Sequence, residues 1–190
     1  MDIRSITVDT CVWNKYIDGK PEKVEIQKMF DVCLREGVEI HASSRVFSFD
    51  TTTQNAIQTE SIKNLMDQLG AKVTPAPFIF GSIHDPKNTG SAFGREDFFG
   101  SCFTSEAEDK FIEFVGQHPS KLNPAQLGKK ASNHIGDYDA LERHFINNYG
   151  AFITYDTHLY FTLEKREVYK KELNLFILSP SEFISLIGKI

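Results

Sequence analysis

No stretch of the chain approaches the ~20 consecutive apolar residues that a membrane-spanning helix requires, so no membrane span is expected. The opening Met1-Asp2-Ile3-Arg4 lacks the basic and apolar regions of a signal peptide, and the protein is expected in the cytoplasm. Cysteine is scarce. Cys11, Cys33 and Cys102 are odd in number and widely spaced, with no CxxC pair, which argues against a disulfide framework or a zinc knuckle and for buried free thiols. A positive excess is also missing: the formal net charge of -5 argues against the broad basic coat of sequence-independent nucleic-acid binders. His41, His84, His118, His134 and His158 form no HExxH or other paired metal spacing, which excludes the common zinc hydrolase pattern. Internal repeats and low-complexity tracts are absent.

What is present is an alternation of short strands and helices. At 190 residues, with 41% hydrophobic and 25% charged residues, the chain fits one soluble globular domain. Ser5–Asp9 reads as a buried strand ending in an acid, followed by Val12, Trp13, Tyr16 and Ile17 at helical spacing. Pro21 opens a helix with Val24, Met29, Phe30, Cys33 and Leu34 as its apolar positions and Gly37 as its stop. Val38–Ala42 is a second strand, Ser43–Phe49 enters a helix, Ser61–Leu69 is helical, and Ala71–Thr74 is a third strand. Pro75–Gly100 reads as a long, irregular surface connection, within a region of about 75–132 that stands as an insertion. A helix is expected over Ser105–Gly116, and another short one after Pro124. The last third predicts a helix from Tyr138 to Tyr149, a strand at Ala151–Thr154 with Asp156 beyond it, and a strand at Leu175–Leu178. Pro180 then starts a closing helix with Phe183, Ile184 and Ile187 inward. This order predicts an α/β fold with a mainly parallel central sheet, whose ligands bind beyond the carboxyl ends of the strands.

Asp9 and Asp156 both stand where a strand ends. Either alone reads equally well as a helix N-cap. Together, two carboxylates at the ends of buried strands in one sheet converge and repel unless a cation neutralises them, and hard oxygen ligands suit Mg²⁺ or Mn²⁺.

Ile6-Thr7-Val8-Asp9-Thr10 resembles the opening strand of PIN domains, an apolar strand ending in Asp followed by Ser or Thr. Asp137-Tyr138-Asp139-Ala140-Leu141-Glu142 and the later Ile153-Thr154-Tyr155-Asp156 resemble that family's acidic helix start and its Thr-x-Asp strand end. Leu178-Ser179-Pro180-Ser181-Glu182-Phe183 resembles its closing strand and Pro-x-Glu-Phe helix start. The similarity covers roughly residues 3–70 and 133–187. It implies a three-layer α/β/α fold and a metal-dependent endonuclease acting mostly on RNA, with Asp9, Asp50, Asp137 and Asp156 as catalytic ligands of Mg²⁺ or Mn²⁺. Asp50 stands where the family usually has Glu. Asp137 and Asp139 compete for the third position: Asp137 shares one helix side with Leu141 and His144, whereas Asp139 also reads as a capping box with Glu142. His144 reads as a packed helix residue rather than a ligand.

Thr10 and Thr154 are candidates to orient a carboxylate or bound water, with strand-end packing as their alternative. Lys129 and Lys130 are candidates to meet phosphate, or else form a solvated pair. Phe93, Phe98, Phe99 and Phe103 suit either base stacking or a core. VapC-type toxins are the implied subgroup, with an antitoxin or a second copy of the chain as partner. The alternative is an inactive PIN-like module that binds RNA or protein. A haloacid-dehalogenase-like phosphatase also places Asp at the end of its first strand, but it needs a second Asp where this chain has Cys11.

Overall fold

The computed structural model describes residues 3–43, 56–74, 106–115 and 131–188. The elements in chain order are β1 (Ser5–Val8), α1 (Thr10–Ile17), α2 (Lys23–Glu36), β2 (Glu39–Ser43), α3 (Ala56–Leu69), β3 (Lys72–Thr74), α4 (Glu106–Val115), α5 (Ala131–Ile146), β4 (Ala151–Ile153), a 3₁₀ turn (Leu159–Phe161), α6 (Leu163–Leu173), β5 (Ile177–Leu178) and α7 (Pro180–Ile187). The five strands form one parallel sheet in the order β3-β2-β1-β4-β5. No described helix is long and apolar enough to cross a membrane.

Side chains alternate across the sheet with the two-residue period of a strand. Ile6, Val8, Ile40, Ala42, Ala151 and Ile153 face a core built with Trp13, Met29, Phe30, Ile62 and Phe183, so α1, α2, α3 and α7 cover that side. Phe152 and Ile177 face a second core with Phe111, Tyr138, Leu141, Phe161 and Tyr169, contributed by α4, α5, the 3₁₀ turn and α6. The result is a three-layer α/β/α sandwich, as parallel strands buried on both faces require.

Local signals explain most boundaries. Gly37 ends α2 in a left-handed conformation, φ 68°, its N–H returning to the Cys33 carbonyl. Ser179 and Glu182 form a reciprocal capping box around Pro180 at the start of α7. Three expectations are corrected. Val24 and Leu34 are exposed, at 66% and 56%, because the buried stripe of α2 runs through Ile26, Met29, Phe30 and Cys33. The helix expected from Tyr138 begins at Ala131, which places Asp137 and Asp139 in its interior and removes any capping box at Asp139. The charged run Leu163–Leu173, read as no element, is α6, capped by Thr162, which accepts the Lys165 N–H, and closed by Asn174 at φ 53°.

Gly150 is required by a close approach. A Cβ there would lie 2.9 Å from both the Ile3 side chain and the Ser5 carbonyl oxygen, and Gly150 N–H donates to that carbonyl at 2.9 Å. Gly150→Ala should therefore push β4 away from β1 and cost about 1–3 kcal/mol in urea unfolding. An unchanged midpoint would show that the strands shift freely.

Candidate functional site at the carboxyl edge of β1 and β4

From β1 the chain moves outward to β2 and β3 on one side, and later to β4 and β5 on the other. The boundary between β1 and β4 is thus the point where strand order reverses, and the crevice beyond their carboxyl ends is the binding position of open α/β sheets. Val8 pairs with Ile153, so Asp9 and Thr154 are the next residues on the two adjacent strands. Asp9 N–H donates to the Ile153 carbonyl at 3.0 Å, which carries the strand register one step into the crevice.

Asp9 is 6% exposed and occupies the N-cap position of α1, but its side chain makes no capping bond. Its Oδ2 instead accepts the Thr154 hydroxyl at 2.5 Å and the Cys11 thiol at 3.1 Å. Thr154 Oγ1 in turn accepts the backbone N–H of Asp156 at 2.9 Å. A chain of hydrogen bonds therefore links the two acids through one threonine. Burial pushes the Asp9 carboxyl above the usual range, against the lowering effect of the Thr154, Cys11 and Thr10 hydrogen bonds, and the Asp156 charge adds to the rise. Burial and then the Asp9 charge push the Cys11 thiol well above its ordinary value, so it stays protonated and donates.

Asp156 is not a helix cap either. Its Oδ1 accepts the His158 N–H at 2.7 Å, an Asx turn leading into the 3₁₀ turn. The Thr10 backbone N–H is a further hydrogen-bond partner of the Asp9 carboxylate.

Asp137 and Asp139 come from α5 toward Tyr160, on the turn that follows Asp156. Burial, then the charges of these two acids, pushes the Tyr160 phenol up to about 12. Asp137 is half-buried and Asp139 is 1% exposed. Thr10 is buried in the first turn of α1. His144 is a core residue whose Nδ1 lies 2.9 Å from Thr7 Oγ1. Cys11 and Cys33 are free thiols. Asp50, Lys129, Lys130, Cys102, Phe93, Phe98, Phe99, Phe103, the helix expected over Ser43–Phe49, the one after Pro124 and the connection Pro75–Gly100 lie outside the described residues.

The structure brings Asp9, Thr154 and Asp156 together, and Asp137 and Asp139 lie near enough to Tyr160, on the turn after Asp156, for their charges to act on it. Among the described residues, no three His, Cys, Asp or Glu side chains form a group able to hold a metal ion. Two carboxylates fit such an ion all the same, because Mg²⁺ keeps several waters and is commonly bound by one or two carboxylates together with substrate phosphate. Cys11 was read from sequence only as a buried thiol. Its position two residues past Asp9, on the first turn of a helix, was the available sign of its contact with the acid.

Comparison of the chain with protein-family models, with curated proteins and with solved structures finds no match. What fold and site define is a class: a parallel α/β protein with a buried acid at its topological switch point.

Proposed function

We propose that the chain is a Mg²⁺- or Mn²⁺-dependent endonuclease of PIN type that hydrolyses phosphodiester bonds of RNA. The observation that carries this reading is the placement of Asp9 and Asp156 beyond the carboxyl ends of adjacent parallel strands at the switch point, near enough for the Asp156 charge to act on Asp9 and joined through Thr154. A buried carboxylate facing a second one is unfavourable in the free protein and becomes favourable when a cation neutralises both. A divalent ion there would activate water and neutralise charge developing on the phosphate.

The chain's own residues do the rest. Thr154 and Cys11 hold Oδ2 of Asp9, and the Thr10 backbone adds a third hydrogen bond, so the carboxylate is fixed in direction before a cation arrives. The Asx turn fixes the Asp156 carboxylate through Oδ1. Two lysines bring positive charge to aromatic faces on either side of Asp156 in sequence: Lys15 Nζ lies 5.1 Å from the Tyr155 ring centre and Lys165 Nζ 5.5 Å from that of Tyr160. Asp50 and Asp137 complete the proposed ligand set, with Asp139 and Thr10 in support and Lys129 and Lys130 on phosphate. A cytoplasmic site of action and an antitoxin-like partner belong to the same reading.

The test is cleavage of a generic single-stranded RNA with Mn²⁺, with Mg²⁺ and with chelator. Cleavage that needs the metal is expected. RNA left intact under all three conditions, by protein shown to be folded, would return the chain to the class of binding modules.

A further inference from the structure

Arg166 is a charged side chain on α6 that is only 9% exposed. Its Nε donates to the Phe161 carbonyl at 2.8 Å and its Nη2 to the Asp156 carbonyl at 2.6 Å, while Nη1 stands 3.8 Å from Glu182 Oε2. Burying a guanidinium is costly unless its donors are met. Here two of them go to the carbonyls that open and close the turn after β4, and the Glu182 carboxylate lies close enough to offset part of the charge. The planar fork holds two acceptors at a set separation, which a single ammonium cannot do.

Asp156 is consequently held on both sides of its own Cα. Its N–H rests on Thr154 Oγ1, its carbonyl on Arg166, and its side chain folds onto the His158 N–H. Leu159 follows at φ 49°, a left-handed conformation that a leucine keeps only where its surroundings impose it. Arg166 bridges the two ends of the segment that contains this residue. Both of its hydrogen bonds go to backbone, and its ion-pair neighbour is Glu182 rather than Asp156, so whatever it does for the acid it does through the shape of the turn.

We propose that Arg166 is a positioning residue: by clamping the Asp156 and Phe161 carbonyls it fixes the turn that holds the Asp156 carboxylate within reach of Asp9, and so sets the affinity of this edge for a divalent cation. The inference rests on the reading of Asp9 and Asp156 as cation ligands. It adds a residue from an element in which sequence reading placed no function.

The probe is Mn²⁺ alone, followed by loss of the free-ion electron paramagnetic resonance signal, on wild type, Arg166→Lys, Arg166→Gln and Glu182→Gln. Metal-free melting and hydrogen exchange of the His158 N–H are measured on each protein. Arg166→Lys keeps the charge but not the fork, and Glu182→Gln removes the anionic neighbour while keeping a side chain that can cap α7. Both Arg166 variants should bind Mn²⁺ about 10–100-fold more weakly, as loss of an outer-shell partner does, and Glu182→Gln should stay within about twofold of wild type. His158 exchange should quicken in the Arg166 variants and not in Glu182→Gln. Folded Arg166→Lys with wild-type affinity and wild-type exchange overturns the clamp while leaving the nuclease reading intact. Wild type that binds no Mn²⁺ overturns both. Failure of both Arg166 variants to fold also counts against the proposal, since it makes Arg166 a residue of the fold rather than of the site.

Discussion

Asp9→Asn and Asp156→Asn should each reduce Mn²⁺-dependent RNA cleavage ~100-fold or more, because losing one anionic ligand removes several kcal/mol of charge stabilisation. The same changes should spare the metal-free fold. Asn at position 9 keeps an oxygen to accept the Thr154 hydroxyl, and helix capping is not at stake because Asp9 makes no capping bond. Burial raises its carboxyl in the fold, so ionisation is less favourable inside the protein than in the unfolded chain. That contribution favours folding at low pH and is lost as pH rises through the raised value. Asn removes it, and metal-free melting near neutral pH should be unchanged or higher. Cleavage and Mn²⁺ titrations on both variants, with melting in chelator, check this. Full activity with unaltered Mn²⁺ binding would remove both residues from the site.

The second large effect is on acid stability. His144 is 1% exposed, lies against Phe152 and Tyr149, and engages Thr7 through Nδ1. Burial, with a smaller contribution from the charge of His41, lowers it from 6.5 to about 3. His41, stacked on Tyr149 at 4.0 Å and flanked by Glu39, is also lowered, chiefly by burial. A histidine kept neutral in the fold but protonated when unfolded gives stability that is complete above 6.5 and falls as pH drops toward 3. The loss across that window should be on the order of a few kcal/mol, a sizeable part of a domain's total, and the raised Asp9 carboxyl offsets part of it. His144→Asn keeps a polar group near the Nδ1 position and has no proton to gain. It should be less stable than wild type at pH 7, with a flatter decline below pH 6.5. Urea midpoints at stepped pH measure this, and parallel slopes for the two proteins would rule out His144 as the source.

The fold was legible because its strands announce themselves locally. Ser5–Val8 and Ala151–Ile153 are β-branched or apolar segments, Ile40 and Ala42 give β2 its alternating inward face, and the alternation of strands with helices implies parallel pairing. Reading failed where local cues were weak. In α6 only Arg166, Tyr169 and Leu173 are buried, so a helix with one wet face and a charged residue on its inner side presents no clear apolar stripe. The first turn of α5, Ala131-Ser132-Asn133-His134, is mostly polar and carries no apolar periodicity, so its start is not marked in the sequence.

By itself the sequence marked the strands, most of the helices and the acids at the strand ends, since the conformation of a strand or helix depends mainly on side chains a few positions apart. It placed Asp9 after β1 and Asp156 after β4, but not beside each other. Tertiary structure decided that. Only the order β3-β2-β1-β4-β5 makes β1 and β4 neighbours, and only that packing lets Thr154 reach an acid 145 residues away and Arg166 reach the Asp156 carbonyl. The contacts that set a carboxylate's charge and direction are chosen by how distant segments pack, which no local pattern encodes.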